Sequence, residues 1–565
     1  MKKIILFFLI FFTISVKPIS AIVDPRVTTN NRFGIHALDF SDLEPAANLV
    51  NSSGGDWGYV TLVIRQNDQD KAKWQKILDQ CRDLKLIPII RLATVPVKDY
   101  WQKPNLDEVN NWVNFLESLN WVIQNRYIVL FNEPNHAKEW ENQINPEEYA
   151  KTIRVFHQAL KKSSPDYFIL PAGLDTAAPN SINTMTASDY WSKMYQSDPD
   201  IFKLLDGWNS HSYPNPGFSG PVTGSGLGTL KSYQAEVSFL SNYGLPADPP
   251  IFITETGWVH KDGKILGAST DNTALSNFYR SAFQSVWIQS NLVAITPFVL
   301  NYPQPPFDKF AWQKPNSKEF YPHYYAVKNL TKVAGQPTQI HDSKIISDTI
   351  PEKLTESSSY QFDITFKNTG QSIWTQDNAK LVITTNLPQE SFSFTPTQTT
   401  KPNSNTNYTI TIHTPAKTQP VSLKLQLQNE NTPFGQQREK TITIVPPPSI
   451  VIKASRYFRN DLVPVEYKLL IYDQNQELKN ELFISLKNFI SQPIKLYNLI
   501  PQSSYRFVIL KDYYLPRQVS AVLGSDQTTI QFKTLLPLDL NKDGHFSIKD
   551  FLYHLTHPLT IFKII

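Results

Sequence analysis

The chain has 565 residues, is 41% hydrophobic and 12% aromatic, and carries a formal charge of only +4. That length exceeds what one hydrophobic core supports, so several domains are expected. The near balance of 54 basic against 50 acidic side chains, with no basic run interleaved with aromatics, excludes a surface built for nucleic acid.

The chain starts Met1-Lys2-Lys3, continues as an apolar run from Ile4 to Phe12 and reaches small residues ending at Ala21. That order reads as an export signal over residues 1–21, cleaved after Ala21, and implies a secreted or cell-surface protein. The run is shorter than the roughly 20 residues of a spanning helix, and no later segment suits one, so no membrane span is expected after cleavage. Its loss removes Lys2, Lys3 and Lys17 and no acid, bringing the charge closer to neutrality. Cys81 is the only cysteine, which excludes a disulfide within the chain. It fits a core position on a helix better than a nucleophile.

Residues 22–334 alternate strand-like and helix-like runs, the pattern of parallel strands joined by helical crossovers. The strands are expected at Phe33–Leu38, Tyr59–Ile64, Ile87–Leu92, Tyr127–Phe131, Tyr167–Ala172, Gly207–Tyr213, Ile251–Thr254 and Ala294–Leu300. Amphipathic runs such as Ala72–Leu84, Val109–Leu119, Pro146–Lys161 and Thr273–Ile288 separate them. Eight such rounds match the size and rhythm of an α/β fold of the (β/α)8 TIM barrel type. A doubly wound open sheet is the alternative, weakened by the lack of a Gly-rich phosphate loop after the first strand.

Two of these strands end in a carboxylate followed by a Pro or Gly turn. One is followed by Asn132-Glu133-Pro134-Asn135, the other by Glu255-Thr256-Gly257-Trp258. Strand ends of a barrel assemble its active site. A pair of carboxylates there fits glycoside hydrolysis, in which one protonates the leaving oxygen and the other attacks or stabilises the anomeric carbon.

With the eightfold rhythm, these motifs resemble those of the retaining glycoside hydrolases of clan A, whose acid/base glutamate follows an Asn after the fourth strand and whose nucleophile ends the seventh. The resemblance covers about residues 32–332. It implies that Glu133 serves as general acid and then base, that Glu255 is the nucleophile, and that Asn132 holds the sugar 2-hydroxyl. Arg65, ending the second strand, matches a strand-end Arg common in the clan and is the candidate positive neighbour of Glu255; Arg91, ending the third, competes for that place. His211 and Tyr213, in Asn209-Ser-His-Ser-Tyr-Pro214, resemble the His and Tyr often found beside the nucleophile, with the Tyr hydroxyl donating to Glu255. His36, ending the first strand, reads equally as a substrate contact or a core histidine. Trp258 and Trp312 are the best-placed flat surfaces for a sugar ring. The eighth strand departs from the clan: Phe298, Asn301 and Tyr302 stand where many members have a Trp.

The expected function is a secreted glycoside hydrolase cleaving β-glycosidic bonds of a poly- or oligosaccharide, with no cofactor for catalysis. The alternative is a catalytically inactive carbohydrate-binding or cell-surface scaffold protein.

Beyond residue 335 helical periodicity stops and short alternating runs begin, among them Tyr360–Phe366, Lys380–Thr384, Tyr408–His413 and Val421–Leu427. Residues 336–445 are expected to form a β-sandwich, and Phe366-Lys-Asn368-Thr-Gly370 with Trp374 resembles immunoglobulin-like accessory domains. Pro446-Pro447-Pro448 reads as a stiff linker into a second sandwich over residues 446–535. In the last segment, 536–565, the run Asp539 to Asp550 places oxygen ligands Asp539, Asn541, Asp543, Ser547 and Asp550 at EF-hand spacing, with Gly544 at the turn and a backbone carbonyl from His545. The loop resembles those of dockerins, which implies calcium binding and a cell-surface or scaffold protein as a candidate partner; dockerins carry two loops, and one is present here.

Overall fold

The structure, a computed structural model, describes residues 22–260, 271–457 and 459–560, so the expected export segment 1–21 lies outside the described residues. Two units divide the chain, residues 1–340 and 341–565.

Among the described residues, the first unit has eight parallel strands: β1 Gly34–His36, β2 Gly58–Arg65, β3 Leu86–Ala93, β4 Arg126–Leu130, β5 Tyr167–Pro171, β6 Trp208–His211, β7 Ile251–Glu255 and β8 Leu292–Ile295. Strands β1 to β5 form one five-stranded sheet in sequence order, and β6 to β8 a three-stranded sheet. A parallel bridge between Phe33 and Ile295 links β1 to β8. Between β5 and β6, Asp206 N–H donates to the Ile169 carbonyl at 3.2 Å and the Asn209 side chain to that of Pro171 at 3.1 Å. Each strand therefore neighbours its successor, and the last neighbours the first.

The strands are nearly continuous runs of buried β-branched and aromatic residues, as expected where both faces are covered. Tyr59, Tyr127, Phe168 and Phe252 meet at ring separations of 5.0 to 6.5 Å and fill the interior at the strands' starting ends. Helices follow strands: α1 Leu43–Val50, α2 Lys71–Asp83, α3 Val109–Glu117, α4 Pro146–Ser163, α5 Ala187–Ser197, α6 Ser232–Leu240, α7 Asn272–Ser281 and α8 Pro322–Lys328. Side-chain caps fix several of their starts: Asp70 accepts from the N–H groups of Ala72 and Lys73, Asn145 from Glu148 with Pro146 in the first turn, and Thr186 from Asp189. The long run expected over Thr273–Ile288 is an α-helix only to Ser281 and continues as a π-helical turn over Ala282–Val286.

In the second unit, two four-stranded sheets share one core. One contains Ser343–Asp348, Ser359–Asn368, Phe392–Phe394 and Asn405–His413; the other contains Lys353–Thr355, Lys380–Thr385, Pro420–Asn429 and Thr432–Val445. Alternate residues Phe362, Ile364 and Phe366 of one sheet and Leu423, Leu425 and Leu427 of the other are buried in that core, with Trp374 fully buried beside them. The stretch from Ser449 to Gln531, expected as a second sandwich, is one connected eight-stranded sheet in which Ser449–Lys453 also pairs with Gln527–Gln531 in parallel. It packs over its own core of residues such as Leu469, Ile471, Phe507 and Ile509. The Tyr360 hydroxyl donates to the Leu499 carbonyl at 3.0 Å, so the two β regions touch within the unit despite the intervening prolines. A last helix, α9 Ile548–Thr556, follows the Asp539–Asp550 loop.

Candidate active site

Glu255 is the last residue of β7 and only 8% exposed. Its carboxylate accepts from Arg91 Nη1 at 2.5 Å through Oε1 and from the Tyr213 hydroxyl at 3.1 Å through Oε2. His211 Nδ1 lies 3.8 Å from Oε2 and His36 Nε2 4.0 Å from Oε1. Burial by itself favours the neutral acid, but His211, Arg91, His36 and the Tyr213 hydrogen bond together outweigh it and hold the Glu255 carboxyl well below the usual carboxylate range. It is ionised at neutral pH.

Glu133 stands three residues past β4, where Phe131 and Glu133 itself adopt left-handed backbone angles, with φ of 72° and 30°. Non-glycine residues hold such angles only where surrounding contacts enforce them. The His136 N–H donates to the Glu133 carbonyl at 2.9 Å and the Asn135 side chain ties the turn to the carbonyls of Asp175 and Met185. The turn aims the carboxyl at His211, whose Nδ1 lies 2.9 Å from Oε1. That contact serves both protonation states: a carboxylate accepts from the ring N–H, and a carboxylic acid donates to the bare ring nitrogen. One oxygen of Glu133, one oxygen of Glu255 and a ring nitrogen of His211 lie within 4.8 Å of one another.

His211 ends β6 and is buried. Burial alone lowers its pKa; the charge of Glu255 and the contact with Glu133 reverse this and raise it above the ordinary histidine value. The strand is locked in place by Asn209, which accepts from the Thr254 hydroxyl at 2.7 Å, and by Thr256, whose hydroxyl donates to the Ser212 carbonyl at 2.6 Å.

Several expectations need correction. Arg65 is exposed and lies over the ring of Trp101, 5.6 Å from its centre; Arg91, two residues deeper in register, is the cation on Glu255 and also donates to Asn132 Oδ1 at 2.5 Å. His36 is fully buried, its pKa lowered to about 3 first by burial and then by Arg91, so it packs neutral beneath Glu255 and against Phe298 instead of meeting substrate. Trp258 and Trp312 are not platforms. Both are buried, Trp258 with its indole N–H on the Gly220 carbonyl at 2.9 Å and Trp312 against Tyr279 and His323. The aromatic surface near the site comes from the departing segment: half-buried Phe298 contacts His36, and exposed Phe307 abuts Phe298 and Tyr302. Cys81 is buried on α2 with its thiol pushed up to about 12 by burial, which suits a core residue.

Arg91 offers a direct test of the electrostatics. The nucleophilic role expected of Glu255 from the sequence requires it to be ionised, and its lowered pKa keeps it so well into the acid range. In Arg91→Met one of the opposing charges is gone, the Glu255 pKa rises, and the acid limb of the kcat/KM profile should move to higher pH by roughly one unit or more. The sign follows for stability too: a lowered carboxyl pKa contributes stability above the unfolded value that is lost as pH falls through the folded one, so the variant should lose less stability between those two values than the wild type does. An acid limb left in place would refute the pairing.

At the other end of the chain, Asp539, Asp543 and Asp550 bring carboxylate oxygens within 4.8 Å of one another. Asp539 is 5% exposed, its Oδ2 accepts from the Gly544 N–H at 3.0 Å, and its buried Oδ1 has no hydrogen-bond partner among the described residues. Burial, then the charges of Asp550 and Asp543, raise its pKa, as unneutralised crowded acids require. Asp550 accepts from the N–H groups of Leu540 and Ser547, while Asn541 and Asp543 exchange hydrogen bonds across the turn and the His545 N–H donates to Asp543. Ser547 also caps α9, its hydroxyl accepting from the Lys549 N–H at 3.2 Å.

No protein-family model matches the chain, and no curated protein matches it. Among solved structures it is similar to a glucosidase from Croceicoccus marinus, at 9% identity over 83% of this chain and 94% of that one with a TM-score of 0.38. It is similar also to a beta-mannanase from Alicyclobacillus acidocaldarius, at 10% identity over 54% and 98% with a TM-score of 0.33. A beta-1,4-D-mannanase from Cryptopygus antarcticus shows 11% identity over 54% and 94% with a TM-score of 0.32. Likeness this slight says nothing of the reaction, which rests on the geometry above.

Proposed function

We propose that the first unit is a (β/α)8 barrel of the clan A type and that the protein is a retaining glycoside hydrolase acting on β-glycosidic bonds. The observation that carries this reading is the approach of Glu133 and Glu255: carboxyl oxygens within 4.8 Å match the roughly 5 Å spacing of retaining enzymes and not the 6.5 to 9.5 Å that admits a water between them. Glu255, ionised and fixed by Arg91 and Tyr213, attacks the anomeric carbon; Glu133, hydrogen-bonded to His211, protonates the leaving oxygen and then activates the water that releases the sugar. Asn132 meets the 2-hydroxyl. A catalytically silent scaffold has no use for a buried, ionised glutamate held by two donors, Arg91 and Tyr213. Early products followed by NMR should keep the anomeric configuration of the substrate; the inverted anomer would end this assignment.

The C-terminal loop is read as a calcium site formed by Asp539, Asn541, Asp543 and Asp550, with the Asp539 Oδ1 as the observation in its favour. The apolar stripe of α9 and its flanks, Ile548, Phe551, Leu552, Leu555 and Leu559, is more than half exposed at every position and supports docking of a scaffold or surface protein there. Calcium at a hundredfold excess over its dissociation constant should raise the unfolding temperature of the second unit by on the order of 5 °C, with no response from Asp539→Ala. An equal response in both proteins, or none in either at millimolar calcium, would remove the site.

A further inference from the structure

Glu139 lies in the short helical turn Ala137–Glu139 beyond Glu133, and the reaction as read above assigns it no part. Its backbone is held firmly. The Ala137 N–H donates to the Asn183 carbonyl at 2.9 Å, the Glu139 N–H to His136 at 3.0 Å, and the buried Trp140 donates its indole N–H to Glu148 at 3.0 Å. The partly buried carboxylate accepts from Asn132 Nδ2 at 3.3 Å. On the other side of the same amide, Asn132 Oδ1 accepts from Arg91 Nη1, and that nitrogen also reaches Glu255. The four residues form one line, from nucleophile to cation to amide to a third carboxylate.

An asparagine amide can sit two ways, and the hydrogen bonds of its neighbours choose between them. Here a cation faces the oxygen and an anion faces the NH2 group. Turning the amide over would place NH2 against the guanidinium and oxygen against the carboxylate, losing two charge-assisted bonds at once. With one amide hydrogen on Glu139, the other is free to donate. Burial, and next the charge of Glu133, raise the Glu139 pKa, which places this carboxyl in the same electrostatic environment as the acid/base.

We propose that Glu139 is a positioning residue that fixes the Asn132 amide so that its remaining N–H faces the sugar hydroxyl next to the anomeric carbon. The role of that hydroxyl rests on the function proposed above; the orientation of the amide does not. In the full-length protein, Glu139→Ala should lower kcat on the 4-nitrophenyl β-glycoside that the wild type cleaves fastest by roughly tenfold or more, with KM little changed, because the contact strengthens as the transition state forms. The 2-deoxy counterpart, lacking the hydroxyl, should be cleaved nearly as well by the variant as by the wild type. Glu139→Gln retains an oxygen to accept from Asn132 and should keep most of the activity. In an Asn132→Ala background, Glu139→Ala should cost nothing further. Equal loss on both substrates, or a Gln variant as poor as the Ala variant, overturns the proposal. A readout without turnover separates it from the wider reading: with 15N-asparagine labelling, the Asn132 side-chain protons, assigned by their loss in Asn132→Ala, should exchange with solvent slowly in the wild type and fast in Glu139→Ala. Unchanged exchange overturns the positioning role whatever the sugar; slow exchange in a protein that cleaves no β-glycoside leaves the contact standing and ends the hydrolase reading.

Discussion

Glu255→Ala should abolish turnover, by on the order of 10^4-fold or more, on every substrate the protein cleaves. Among the described residues, no group near the site replaces it as the proposed nucleophile: Glu133 is committed to His211, and the remaining neighbours of Glu255 are a guanidinium, two imidazoles and a phenol. Truncation also leaves Arg91 and His211 facing a gap, so Glu255→Gln, which keeps the shape without the charge, belongs beside it as a control for folding. Glu133→Ala should behave differently. General acid catalysis is worth about 10^2 to 10^4-fold where the leaving group is poor, and little where it departs unaided. Natural linkages should therefore suffer heavily in the first step, while dinitrophenyl glycosides should still load the enzyme and stall at the second step, which needs the base. A burst of dinitrophenol followed by slow turnover is the expected trace. Equal losses for both glutamates on both substrates would contradict the division of labour.

The sequence showed where the two glutamates stand because strand and carboxylate are adjacent in the chain. The eight strands, too, were visible as buried β-branched runs, within a few residues at most ends. What it did not show depends on depth and on contacts between distant segments. Arg65 and Arg91 both lie at the ends of their strands, yet Arg65 pairs in register with Ala93 and Arg91 with Val63, two residues deeper, so only Arg91 stays below the rim. Trp258 directly follows the Glu255 turn, but its indole N–H has a partner in Gly220, 38 residues away, and turns inward to reach it. The ninth position of the loop did not show that the Ser547 hydroxyl also starts a helix, where it caps α9 with Asp550 completing a capping box. Glu139 carried a faint signal, an acid six residues past Glu133 in a turn, whose meaning lies in the side chain of Asn132.

Gly173→Ala should disable the site from behind. Gly173 follows β5, and a Cβ placed there would lie 2.2 Å from His211 Cδ2, 2.7 Å from Cγ and 2.8 Å from Nε2. Its backbone is not in the left-handed region, so the cost is steric and belongs to the imidazole. The ring has little room to retreat: it is buried, its Nδ1 is on Glu133, and its backbone bridges to Asp175. Overpacking of this kind costs typically 1–3 kcal/mol, and a displacement of about 1 Å in the group hydrogen-bonded to the proposed acid/base can lower kcat/KM by roughly 10^2-fold. A thermal melt and steady-state kinetics would measure both. The cause can be isolated by removing the ring: in a His211→Ala background the clash is gone, and the added stability cost of Gly173→Ala should fall to within about 0.5 kcal/mol, a coupling that a double-mutant cycle reads directly. Wild-type kcat/KM in Gly173→Ala, or the same stability cost with and without the imidazole, would show that His211 is not held where the glycine makes room for it.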